Sequence, residues 1–370
     1  HNLAKVGVEG SNPFTRSRLV KVKYFFKKNI FKLIILFVLF LIVSSCAKNT
    51  YHATTKFGDL EKKEAINQKK FLIKEMSKAS LILHKISWPI LVNNKNKCKA
   101  SKSFSFGFLF ADILDLPVED HFLYLNLYNN SIDKKKFKEY NTKSFPIVLS
   151  VAKNSPAEKS GLKANDIILS INEKNTKSFR KKLDLIIKKT PNLYFKILRE
   201  GEVQDIKLVG KRTCIYNVQP IPSGAPNAYA DGDKVFITMA AIKLANTYDE
   251  LAFLIGHEIA HNILHFESFN TTEAYTFAIN YTDKPKIRNI KNLFVWSDEK
   301  REIEADIEGV KLAFYGGYSL KNVNDYWRRL SVFNPSLINK SKSIYMSNAF
   351  RASLINETLK ELKKIENGKK

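Results

Sequence analysis

The spacing of apolar residues divides the chain into stretches of different period. Between residues 57 and 90, Leu60, Ala65, Ile66, Ile73, Met76, Ala79, Leu83 and Ile86 recur at helical intervals among lysines and glutamates. That pattern predicts one long amphipathic helix, ended by Trp88-Pro89. Residues 100–143 hold no steady period; Phe104-Ser105-Phe106-Gly107-Phe108 reads as a strand with a glycine turn, and 129–144 as a polar loop. From 144 to 211 the period shortens. Strands are expected at 145–151, 166–172, 193–198 and 203–209, the last two joined into a hairpin by Arg199-Glu200-Gly201-Glu202. Ser155-Pro156-Ala157 marks a turn into a short helix that ends at Gly161-Leu162, and 178–189 is an amphipathic helix with Leu183, Ile186 and Ile187 on its apolar side.

Beyond Cys214, Pro220, Pro222, Gly224 and Pro226 punctuate a loop, and Lys234-Val235-Phe236-Ile237-Thr238 is a short strand. Leu251, Leu254, Ile255, Ile259 and Leu264 make 251–265 a buried helix, with Thr247-x-x-Glu250 as its capping box. A second helix covers 297–315: Ser297 or Asp298 caps it, Gly316-Gly317 stops it, and Ile303, Ile307, Val310 and Phe314 form its stripe. Residues 266–296, rich in Asn, Thr and aromatics, read as a lid or substrate region between the two helices. The expected fold class is α+β. A mainly helical domain with a short edge β-sheet occupies 212–370. A small β-barrel or sandwich domain precedes it at 144–211, and a helical segment with a linker at 46–143.

Residues 21–46 read KVKYFFKKNIFKLIILFVLFLIVSSC: lysines, an apolar run at 33–43, then small residues before a cysteine. This is the three-part layout of an export signal, and the apolar run is shorter than the roughly 20 residues a membrane span needs. Residues 1–20 fit no part of such a signal, so the true start is expected near residues 19–22. With Cys46 at the signal, Cys98 and Cys214 remain, and an exported chain with two cysteines invites a disulfide. Two separate buried thiols are the alternative. The formal charge is +25, of which residues 1–45, with eight Lys/Arg and one Glu, supply +7 and leave +18. The lysines are spread along the whole chain, and no Arg-rich, aromatic-interleaved block stands out. That argues against a nucleic-acid partner and fits a basic surface near anionic lipid.

The candidate chemistry lies in His257-Glu258-Ile259-Ala260-His261. Histidines four apart on a helix sit about 40° apart around its axis, so both rings face one ion. Glu258 beside the first can reach a water there as general base. Zinc takes three protein ligands in a hydrolytic site and keeps a fourth position for water. No histidine follows His265, so a downstream third ligand is a carboxylate. Glu302, Asp306 and Gly309 share one face at i, i+4 and i+7, and Ala305 and Gly309 are small enough for a close approach between helices. Glu302 then reaches the metal while Asp306 fixes a ligand from behind. Glu304 points elsewhere, about 200° round from Glu302. A solvated acidic face is the alternative. His265 reads as a structural histidine, and His52, His84 and His121 have no spacing partner. Val235, Phe236, Ile237 and Thr238 form the candidate edge strand for binding a substrate backbone, with a plain structural strand as the alternative.

Three stretches resemble known families. Val43-Ser44-Ser45-Cys46 resembles the bacterial lipobox, which implies cleavage before Cys46 and lipid on its sulfur and new amino terminus. Ala47 in place of Asp then implies a membrane-anchored lipoprotein facing the periplasm, on the outer rather than the inner membrane. SPAEKSGLKANDIILSIN resembles a PDZ domain of the bacterial protease type, with Asn165 where the family has Gly. That implies capture of an extended peptide by strand addition, with Phe106-Gly107-Phe108 as the candidate carboxylate loop; a spacer or gate without a ligand is the alternative. His257-Glu258-x-x-His261 followed by Glu302-x-x-x-Asp306, together with NAYADG, ITMAAI, DELAFLIGHEIAHN, EIEADIEGVKLAFYGGYS and YWRRL, resembles peptidase family M48. That is the group of HtpX, BepA and the CAAX prenyl proteases. The resemblance implies a zincin-like domain with one Zn2+ on His257, His261 and Glu302, Glu258 as base and Asp306 orienting the ligands. It also implies an endopeptidase for misfolded or unassembled envelope proteins, with the PDZ module recruiting or gating substrate. One position departs from the family. Its late histidine, about six residues before an arginine, is Tyr345 here, with Arg351 as that arginine. The Tyr345 hydroxyl would then donate to the developing oxyanion. An envelope binding or assembly factor with weak or no proteolysis is the competing reading.

Overall fold

The computed structural model describes residues 58–98, 104–124, 145–175, 179–187, 190–266, 276–285, 299–339 and 346–368. Of its two compact units, 1–63 and 64–370, the second holds the sheets and the candidate metal residues. Cys46, His52, Tyr345 and the apolar run at 33–43 lie outside the described residues. Among the described residues no helix is long and apolar enough to cross a membrane.

Helix α1, Gly58–Asn93, runs through Pro89 instead of stopping there. Pro89 sits in the last turn, where it forfeits one backbone bond and leaves the rest of the ladder intact. Ile90 beyond it is fully buried, and the Asn94 side chain donates to the carbonyls of Ile90 at 2.8 Å and Leu312 at 2.9 Å. Burial and capping therefore outweigh the proline.

The middle of the chain follows as β1 (Phe104–Ser105), β2 (Phe108–Ala111), α2 (His121–Tyr124), β3 (Ile147–Val151), α3 (Pro156–Lys159), β4 (Ile167–Ile171), β5 (Lys174–Asn175), α4 (Phe179–Ile187), β6 (Asn192–Arg199), β7 (Glu202–Val209) and β8 (Lys211–Arg212). Strands β2-β3-β4-β6-β7 lie side by side in an antiparallel sheet, with β5 beside β4. The stretch 104–111, upstream of the periodic region, thus supplies this sheet with a strand. The hairpin from β6 to β7 turns through Glu200 and Gly201, both at positive φ, as a two-residue turn between twisted strands requires. Asn165, at φ 74°, holds the left-handed backbone position of the family glycine. One face of the sheet packs Phe106, Phe108 and Phe110 against Phe179, Leu183 and Ile187 of α4. The other face, through Leu109, Ala111, Ile147 and Ile167, packs with Ile73 of α1 and with Ala278 and Ile279. Alternation along β2 thus feeds two cores.

The last region holds β9 (Asn217–Ile221), β10 (Ala228–Ala230), β11 (Lys234–Thr238), α5 (Met239–Leu244), α6 (Tyr248–Leu264), α7 (Glu299–Tyr315), α8 (Asn324–Phe333) and α9 (Asn348–Asn367). Two expectations need correcting. Pro220 lies in strand β9 and not in a loop; β9 is an outer strand, where the missing N–H is tolerated. Val235–Thr238 belongs to β11, which is the middle strand, antiparallel to β10 and parallel to β9. Its backbone is paired on both sides and Val235, Phe236, Ile237 and Thr238 are all buried, so it offers no edge to a substrate. Apolar spacing predicts a strand but not its place in the sheet. The core below joins Leu83, Ile86 and Ile90 of α1 to Val235 and Ile237 of β11 and to the apolar sides of α6 to α9. Helix α1 therefore contributes to both domain cores. Cys98 and Cys214 form a disulfide, Cα to Cα 5.5 Å, that ties the chain beyond α1 to the start of this region.

Candidate metal centre

Thr247 starts α6 by accepting a hydrogen bond from the Glu250 N–H, while the Glu250 carboxylate reaches back to the Asn246 N–H at 2.7 Å. The expected capping box thus closes one residue earlier, and Arg329 of α8 pairs with the same carboxylate. The helix is apolar on every side for most of its length and is buried from Glu250 to Ile263. Helix α7 crosses it in contact. A Cβ on Gly256 would stand 2.5 Å from the Gly309 carbonyl oxygen, and one on Gly309 would stand 2.7 Å from the backbone of His257. Two glycines therefore let the backbones touch beside the first histidine.

That crossing brings His257, His261 and Glu302 together. Their ligand atoms lie within 4.8 Å of one another. Nε2 of His257 and Nε2 of His261 are 3.0 Å apart, and the Glu302 carboxylate oxygens lie 3.5 and 3.3 Å from them. Two imidazole nitrogens and one carboxylate converging on a point form the donor set of an open zinc site. Burial disfavours a charge on His257, yet its bonds to Asp306 and Glu302 outweigh this and raise its pKa to about 10. At His261, by contrast, burial outweighs the bond to Glu302 and lowers the pKa.

Asp306 is fully buried and accepts from His257 Nδ1 at 2.8 Å. Burial opposes its charge, but Arg351 and His257 prevail and hold its carboxyl below the usual carboxylate range. Arg351 of α9 binds it twice, Nε to Oδ2 at 2.8 Å and Nη2 to Oδ1 at 2.5 Å, and lies over the Trp327 ring at 4.2 Å. Glu258 is buried beside the group, and burial raises its pKa to about 7. A carboxyl near neutrality can both take and return a proton.

The structure thus gathers the expected His257, Glu258, His261, Glu302 and Asp306. It does not bring Val235–Thr238 to the site as an edge. Arg351 gains a definite place, bonded to Asp306 and 3.3 Å from His257 Nδ1. The sequence reading passed over Gly256 and set Glu304 aside as pointing elsewhere. Gly256 has a signal, since a glycine just before the first ligand marks the helix contact. Glu304, aimed away from Glu302, meets His265. Of the other histidines, His84 Nδ1 lies 3.2 Å from the Ser150 hydroxyl and His121 Nε2 lies 3.1 Å from the Leu116 carbonyl.

Phe106-Gly107-Phe108, the candidate carboxylate loop, is buried, with Gly107 at positive φ. A Cβ at Gly107 would meet the Trp88 ring of α1 at 2.9 Å, and the carbonyls of Phe106 and Gly107 accept from Ala157 and Ala152. At the junction of β2 and α4, the Arg180 guanidinium lies between the rings of Phe110 and Phe277 and donates to the Thr276 carbonyl. Phe277 also faces Lys234, the first residue of β11.

Comparison with known families matches residues 202–351 to Peptidase family M48 and residues 135–209 to the PDZ domain. No curated protein matches the chain. Among solved structures, the HtrA3 PDZ domain bound to a phage-derived ligand (FGRWV) aligns at 17% identity, covering 29% of this chain and 85% of that one, with a TM-score of 0.20.

Proposed function

Starting from an M48 peptidase that carries a PDZ domain, we propose that this protein is a zinc-dependent endopeptidase with His257, His261 and Glu302 as metal ligands and Glu258 as general base. The observation that carries the reading is the convergence of those three donors on one point next to buried Glu258. Zinc, when bound, supplies Lewis acidity to the scissile carbonyl and to the attacking water. The remaining work falls to the chain. Glu258 takes the proton from water and hands it to the leaving amine, and a pKa near neutrality suits both transfers. Asp306 holds the Nδ1 proton of His257, so that Nε2 stays bare toward the ion. Arg351 keeps Asp306 charged in a buried place. For the substrate backbone the reading assigns β10, which among the described residues pairs only with β11 and packs beside α6.

For the PDZ domain we propose gating over simple recruitment. Thr276 and Phe277, from the stretch between the two ligand helices, already cover Arg180 and Phe110 at the junction of β2 and α4. Protein or peptide substrates follow from both domains; unassembled envelope proteins are our proposal for their class. We place the chain outside the cytoplasm, anchored by lipid on Cys46, on the strength of residues 21–46 and of the Cys98–Cys214 disulfide, which suits an oxidising compartment. A chelator assay separates this reading from a binding or assembly factor. Casein cleavage that stops with a chelator and returns with zinc supports the peptidase, whereas zinc-loaded protein that never cleaves supports the factor.

A further inference from the structure

His261 has two ring nitrogens, and only one is used by the site described above. Its Nε2 faces His257 and Glu302, so it must be bare to hold an ion, and the ring proton then sits on Nδ1. That Nδ1 lies 2.9 Å from Nδ1 of His265. For a hydrogen bond to form there, His265 must accept, which puts its own proton on Nε2. His265 Nε2 lies 3.2 Å from Glu304 Oε2. Each proton therefore has one place, and the chain of bonds ends on a carboxylate.

We propose that His265 and Glu304 form a positioning relay for His261, a role that rests on the metal-site reading above. His265 stands four residues after His261, at the end of α6, where its N–H donates to the His261 carbonyl at 2.9 Å. This brings its ring back over the preceding turn. The His265 side chain is 5% exposed, while Glu304 is 44% exposed and reaches it from α7. The two metal histidines are then served in parallel. Asp306 accepts directly from His257, and Glu304 accepts from His261 through His265. Helix α7 so carries three carboxylates at i, i+2 and i+4 with three tasks. The about 200° between Glu302 and Glu304 keeps the second carboxylate off the ion, and it meets the His265 ring instead. Such outer bonds fix the tautomer and tilt of a ligand ring, and losing one typically costs about 10–100-fold in metal affinity. A histidine that merely fills space at a helix end predicts no such effect.

The test measures zinc affinity of the full chain by competition with a chromophoric chelator, with the visible spectrum of the cobalt-substituted protein as a second readout. His265→Leu should weaken zinc about 10–100-fold and alter the cobalt spectrum. His265→Gln, whose amide oxygen still accepts from His261, should recover much of the loss. Glu304→Ala should weaken zinc too, yet add nothing in the His265→Leu background, because both break one path. Wild-type protein that binds no zinc would overturn the metal site itself. Tight zinc in the wild type, with His265→Leu folded and within threefold of it, would overturn the relay alone. If His265→Leu does not fold, half-exposed Glu304→Ala decides the matter by the same threefold criterion.

Discussion

Asp306 is fully buried and charged, so something must compensate it; Arg351 does so through bonds of 2.8 and 2.5 Å. Removing one partner of a buried pair leaves the other uncompensated, at a cost of about 3–5 kcal/mol. Arg351→Met should therefore lower unfolding free energy by about that much in urea titrations, and Asp306→Asn in the same chain should restore part of it. An Arg351→Met protein of wild-type stability would contradict the pairing. His84 makes a separate prediction. Burial lowers its pKa to about 4, against about 6.5 in an unfolded chain. As pH falls from 6.5 toward 4 the unfolded chain takes up the proton first, so stability present above that window is lost within it. His84→Gln should therefore raise the melting temperature of the metal-free protein at pH 5 relative to pH 7, compared with the same difference in wild type; an unchanged difference would refute this. The candidate ligand residues were legible because helix geometry fixes which of them share a face. The partners of Arg351 and Glu304 were not, because they come from another helix and spacing says nothing of that.

Helices α6 and α7 meet at Gly256 and Gly309, and this crossing sets the reach of Glu302. Alanine is the better helix former by about 1 kcal/mol, so Gly309→Ala would stabilise an isolated α7. In the protein its Cβ would lie 2.7 Å from the backbone of His257, which cannot yield as a flexible side chain does. The clash should win: Gly309→Ala lowers the melting temperature and weakens zinc at least tenfold, read by calorimetry and chelator competition. Unchanged zinc affinity would show that the crossing is not what aims Glu302. Periodicity foretold α7 and the hairpin of β6 and β7, since each buries one regular face, while α6 was foretold by its apolar run and its cap. It misplaced β11 because a strand's neighbours are chosen by tertiary pairing. It stopped α1 at Pro89 because the burial of Ile90 and the capping by Asn94 come from residues far along the chain.

Helix α1 lends Ile73 to the packing on the PDZ sheet and Leu83, Ile86 and Ile90 to the peptidase core, so the two domains share one rod. Phe277 forms a second link, stacked on Arg180 of α4 and facing Lys234 of β11. If this link gates the peptidase, Phe277→Ala should raise casein cleavage several-fold; unchanged or slower cleavage would argue that the contact only braces the domains. Neither link was visible in the sequence, where α1 and residues 266–296 read as separate segments. The proposed chemistry turns on Glu258 working on water beside zinc. Glu258→Gln keeps the size of the side chain and removes the base, and a general base contributes about 10²–10⁴-fold. The deciding measurement is casein cleavage by zinc-loaded Glu258→Gln against zinc-loaded wild type. Our account predicts equal zinc content and a rate at least a hundredfold lower; cleavage at the wild-type rate with zinc in place would contradict it.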